Sequence, residues 1–124
     1  MKIFGHPWIE SESFYRISSV EEINTTPSNS ILHLKILLSS FSLAKYCQAN
    51  HLAYMVEVKT IKDAIFANNL NAKYILVSKE LAIELMPIAQ NYLFDTQVLA
   101  TIFDENEIEE VAKEGIDGVF LNKI

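Results

Sequence analysis

From residue 31 onward, short apolar runs alternate with longer runs that mix apolar and polar residues, and the boundaries between them carry helix-start signals. The pattern predicts strands at 31–38, 53–58, 73–77, 97–103 and 119–121. The runs between them predict helices at 41–50, 61–70, 79–92 and 105–114. Ser40, Thr60, Ser78 and Asp104 stand where an N-cap is needed, and Asp63 and Glu107 sit three residues after Thr60 and Asp104. Gly115 follows the last helix, where a left-handed residue is favoured. Strand starts recur about every 20–24 residues. Strands joined through helices must run parallel. The expected fold is therefore α/β, with consecutive strand–helix repeats forming a five-stranded parallel sheet within one domain, 1–124. Pro87 falls inside the 79–92 helix and predicts a kink, or a split near Met86.

Residues 1–30 break this cadence and are expected to form an N-terminal arm packed on the 31–124 body. They hold Pro7, Pro27, the only Trp (Trp8) and the only Arg (Arg16), with a Ser, Thr and Asn cluster over 24–30. Residues 2–9 read as a short strand that Pro7 restricts to an edge, and 14–17 as another. Ser19 and Glu22 mark a short helix that must stop before Pro27. Phe4, Trp8, Phe14 and Tyr15 are either contacts between arm and body or a partner-binding patch.

Composition narrows the function classes. The 124 residues suit one domain, and half are hydrophobic. A net charge of −6 argues against nucleic acid and against an anionic membrane surface. No run is long and apolar enough for a membrane span or a signal-peptide core, and a single cysteine excludes an internal disulfide, so the expected compartment is cytoplasmic. Cys47 lies four residues after Leu43 on the same side of its helix and reads as a small buried hydrophobe. The acids at 104–117 read as the solvated face of the last helix. Three scattered histidines give no zinc spacing; no metal and no cofactor is expected, and His6 and His51 read as surface or packing residues.

Val56-Glu57-Val58, a helix, and then Asn71-Ala72-Lys73-Tyr74-Ile75-Leu76-Val77 resemble the strand–helix–strand unit of quinolinate phosphoribosyltransferase and indole-glycerol-phosphate synthase barrels. Glu114-Gly115-Ile116-Asp117-Gly118-Val119 is similar to the helix-to-strand turn of such barrels. The resemblance covers residues 53–121 and implies a half-TIM-barrel with strands in consecutive order. A flavodoxin-like order is the alternative at this length. Eight strand–helix units need about 200 residues or more, so a full barrel does not fit. The Gly-rich phosphate loops and the catalytic lysines and arginines of those families have no counterpart here, so no reaction follows from the resemblance. A phospho-receiver domain is excluded, because Ser39, Ser40 and Ser78 occupy the positions where its acids would stand. The whole chain also resembles short bacterial proteins, which adds no reaction.

Alternation along the strands groups candidate chemistry. Helices should cover the face of Leu32, Leu34 and Ile36 and that of Tyr54, Val56 and Val58. His33, Lys35 and Glu57 then share the uncovered face, and Thr101, flanked by Leu99 and Phe103, joins them. Ser78, Asp104 and Asn122 lie at the C-terminal ends of other strands, where α/β ligands bind. One account makes these seven residues a pocket for a small anionic ligand or an acid/base site. The plainer account makes Lys35 and Glu57 an ion pair on a sheet face reached by water or the arm. A half-barrel leaves one face without helices, so the arm, a second copy of the chain, or both should cover it. Two functions follow: a non-catalytic interaction or self-associating module, expected as a homo-oligomer, or a binder of, or enzyme on, a small phosphorylated or carboxylated metabolite.

Overall fold

The structure is a computed structural model and describes residues 1–122. Seven strands form one sheet: β1 (Lys2–Phe4), β2 (Phe14–Arg16), β3 (Ile31–Ile36), β4 (Tyr54–Glu57), β5 (Tyr74–Ser78), β6 (Gln97–Ile102) and β7 (Gly118–Leu121). The helices are α1 (Val20–Ile23), α2 (Leu37–Ala49), α3 (Ile61–Asn69), α4 (Lys79–Asn91) and α5 (Glu107–Lys113). Every strand pair is parallel, and the spatial order is β1-β7-β6-β5-β4-β3-β2. The order is consecutive from β2 to β7, so the sheet has no flavodoxin-like switch point. The five body strands lie where the sequence pattern puts them, except that the first stops at Ile36 and Leu37 and Leu38 already belong to α2. The count is seven because the arm supplies both edges: β1 pairs with β7, and β2 with β3.

The sheet curls strongly. Five strands separate β1 from β2, so in a flat sheet they would lie about 29 Å apart, six spacings of ~4.8 Å. Yet the rings of Phe4 and Phe14 have centroids 5.1 Å apart. The two edges therefore face each other across a concave interior. That interior is filled by Phe4, Ile31, Met55, Tyr74 and Leu99, with Phe14, Leu76 and Phe120 packed against them. The aromatic arm thus covers the face without helices, the first of the two covers expected above. Trp8 does not take part; it is 87% exposed.

The helices pack on the outer, convex face through a larger apolar layer that includes Leu34, Tyr54, Val56, Ile75, Leu85 and Val98. Thr60 and Ser78 cap α3 and α4 by accepting the amides of Asp63 and Leu81. Ser19 does the same for α1. Ser40 breaks the helical geometry of α2 (φ −129°, ψ 17°), and its hydroxyl donates to the carbonyls of Lys35 and Ile36. Ser40 therefore marks a kink inside α2 and is not the N-cap expected from the sequence: its hydroxyl donates to the preceding turn and accepts no helix amide, and the helix begins at Leu37. Gly115 has φ +71° and ends α5 in the left-handed region. Cys47 is fully buried in the outer layer, and burial pushes its thiol pKa up to about 11. Among the described residues no helix is long and apolar enough to cross a membrane.

Pro87 does not split its helix. α4 runs from Lys79 to Asn91 with Pro87 inside it and exposed. An interior proline cannot donate to the preceding turn and costs about 3 kcal/mol relative to alanine. It also stiffens the unfolded chain, which offsets up to ~1 kcal/mol. Pro87→Ala is therefore expected to raise the unfolding free energy by about 2 kcal/mol. Urea denaturation at pH 7 checks this; an unchanged or lower midpoint would show that the ring makes packing contacts worth more than the lost hydrogen bond.

Candidate functional site

Parallel strands direct their C-terminal ends, and the N-termini of the following helices, to one end of the sheet. There the ends of β4, β5 and β6 bound a cleft of ≈ 610 Å³. Its polar groups include Glu57, Lys59, Ser78, Lys79 and Thr101, and Phe103 lines it as well. Three of the sequence candidates, Glu57, Ser78 and Thr101, are thus brought together. Lys59 and Phe103 join them from the loops that follow β4 and β6.

His33 stands beside this cleft, on the inner face of β3. Its Nε2 lies 3.2 Å from Glu57 Oε2, and the same oxygen accepts from Arg16 Nη2 at 3.1 Å. A carboxylate only accepts, so Nε2 carries the proton. The His33 ring packs near Phe14 and Phe120, and only 12% of its side chain is exposed. Burial lowers its pKa below the ordinary histidine value; Arg16 lowers it further, while Glu57 pulls the other way. A histidine with a depressed folded pKa stabilises the fold above its unfolded pKa of about 6.5, and that contribution is lost as pH falls below it. Stability should therefore drop between pH 7 and pH 5, and His33→Gln should flatten the drop. Urea titrations at the two pH values measure it; equal slopes for variant and parent would remove His33 as the cause.

Lys35 lies apart from this group. The β3–β4 register slips between Leu34 and Ile36, so Lys35 has no partner in β4 and the alternation that placed it beside His33 is interrupted there. Its side chain is exposed and lines a separate depression with Ser18, Ser39 and Ser40. The carboxylate of Glu57 is paired with Arg16 and not with Lys35. Arg16 could have been suspected as the only arginine, but its role follows from β2 lying beside β3, which local pattern does not reveal. Asp104 turns inward on its own loop, accepting the amide of Asn106. Asn122 is exposed and extends the β6–β7 ladder, its amide donating to Ile102.

The late acids do more than face solvent. Glu107 accepts the amides of Phe103 and Asp104, and those bonds, with Lys79, hold its carboxyl below the usual range. Lys79 bridges Glu107 and Glu110, which raises its pKa. Glu105 meets His6, and Asp117 accepts the amide of Val98. At the opposite end of the interior, the Tyr74 hydroxyl donates to Glu12 and accepts from Lys2, and Lys73 also reaches Glu12. Burial would raise the Glu12 pKa, but these partners outweigh it and lower it. Burial and Glu12 together push Tyr74 up to about 12. This network ties the 5–13 connection to β5. No group of three or more His, Cys, Asp or Glu among the described residues could hold a metal ion.

Compared with models of known protein families and with curated proteins, the chain matches none.

Proposed function

We propose that this chain is a non-catalytic binding module whose cleft takes a small carboxylate that also carries an ammonium group. The observation that supports it is the gathering of Glu57, Lys59, Ser78 and Thr101 around a metabolite-sized space at the C-terminal ends of three parallel strands. The charge balance selects among anions. Glu57, Glu80 and Glu107 oppose Lys59 and Lys79, three negative charges against two positive, and Lys79 is already shared between two glutamates. A phosphorylated dianion would meet a net repulsive wall. A zwitterion would not: its carboxylate suits Lys59 and the two hydroxyls, and its ammonium suits Glu57. Phe103 and Leu81 give an apolar wall for a side chain. Binding without turnover is favoured because Ser78 serves as a helix cap and His33 is committed to Glu57.

Amide-resolved NMR with free α-amino acids at millimolar concentration tests this. The expected result is shift changes at Glu57, Lys59, Ser78 and Thr101, abolished by Thr101→Val with Ser78→Ala. Shifts elsewhere, or none, would overturn it.

One observation favours a second reading, self-association. Trp8 and Phe103, 87% and 60% exposed, line a common depression with His6 and Leu121. Because the arm already fills the concave face, a second copy would dock on this rim. Sedimentation of the parent and of Trp8→Ser decides it: a dimer for the parent and a monomer for the variant are expected, and monomers for both would sink the reading.

A further inference from the structure

We infer that His33, which does not line the cleft, is a positioning residue for Glu57 and thereby sets a preference for aminated over deaminated carboxylates. The inference rests on the cleft reading above and goes on to its selectivity. Two donors, His33 Nε2 and Arg16 Nη2, converge on one oxygen of Glu57, at 3.2 and 3.1 Å. Its other oxygen, Oε1, accepts no hydrogen bond from the described side chains. Glu57 ends β4 and is 30% exposed at the side chain, so its carboxylate belongs both to the concave face and to the cleft. Left to itself, a glutamate at a strand end samples several rotamers and loses that freedom on meeting a ligand. Here two donors remove the freedom beforehand and leave a single acceptor for an incoming ammonium.

The two clamps differ in kind. Arg16 is 62% exposed and brings a charge, so its replacement changes the local field as well as the geometry. His33 is 12% exposed and held by the rings of Phe14 and Phe120. It donates as a neutral imidazole, so removing it withdraws a donor without removing a charge. Its ring is fixed by packing, which lets it fix its partner in turn.

The test uses the full chain with two probes, L-leucine and its deaminated analogue 4-methylpentanoate, titrated by NMR into the parent, His33→Phe and His33→Gln. The parent should bind leucine about tenfold more tightly, the worth of one charge-assisted contact. His33→Phe keeps the aromatic packing and lacks the donor; the preference should collapse to about twofold or less, with the affinity for 4-methylpentanoate unchanged. His33→Gln can donate again and should restore most of the preference. A purely structural role would weaken both probes together and leave their ratio alone. A ratio unchanged in a folded His33→Phe would overturn the positioning role while leaving the cleft reading intact. If the parent binds neither probe, both fail together. If His33→Phe does not fold, the ratio in His33→Gln decides: loss of preference in that variant contradicts the inference.

Discussion

Phe4→Ala will lower the unfolding free energy by about 3–5 kcal/mol, the usual cost of truncating a buried phenylalanine. A domain of this size has about 5–15 kcal/mol in total, so the variant should be marginal or unfolded at 37 °C. The size of the effect depends on where the arm goes. Residue 4 belongs to a three-residue edge strand, a place where substitutions usually cost little. Here Phe4 is 3% exposed, and its ring meets Phe14 at 5.1 Å and Tyr74 at 5.3 Å, edge-on in both cases. Its loss leaves a cavity between the two sheet edges that the short strands cannot collapse to fill. Urea unfolding measures it. A loss below 1 kcal/mol would mean that the edges stand apart and that Phe4 faces water.

Gly118→Val is the second large effect, about 3 kcal/mol, and it acts on the same closure. Gly118 sits on the inner face of β7, between Lys2 of β1 and Leu99 of β6. A Cβ there would lie 2.7 Å from the Lys2 carbonyl oxygen and 2.8 Å from Leu99 Cδ2. The first neighbour is backbone and cannot swing aside, so β1 must move off β7. Gly115→Ala is the control. Its Cβ would find only the Gln90 amide, at 3.8 Å, and the cost is that of a non-glycine residue at φ +71°, about 1 kcal/mol. Thermal unfolding of the two variants should rank Gly118→Val well below Gly115→Ala. The reverse order would show that the approach of β1 to β7 is looser than described.

The body was legible because its information is local. The strand–helix units carry their own alternation, and two of them their own cap, so Thr60, Ser78 and Gly115 mark boundaries without knowledge of the rest of the chain. The curl was only half legible. Residues 2–9 and 14–17 read as edge strands, but their partners lie over 100 residues away for β1 and across the loop after α1 for β2. No local pattern states that they would close one interior from both sides. The site divides the same way. Alternation placed His33 and Glu57 on one face, and their side chains meet there. It misplaced Lys35 because a register slip at a single residue shifts the count, and a slip has no signature in an apolar run such as Ile31–Ile36. Arg16 took the position expected of Lys35 because pairing of β2 with β3 sets it opposite His33. Lys59 and Phe103 lie in loops, where periodicity says nothing.

The Glu57 clamp and both large substitutions depend on the two arm strands meeting over an apolar interior. Nuclear Overhauser contacts between assigned aromatic side chains report that meeting directly. Cross-peaks from the Phe4 ring to the rings of both Phe14 and Tyr74 are the predicted result. A spectrum in which Phe4 and Phe14 each show contacts to their own sheet edge and none to each other would contradict it.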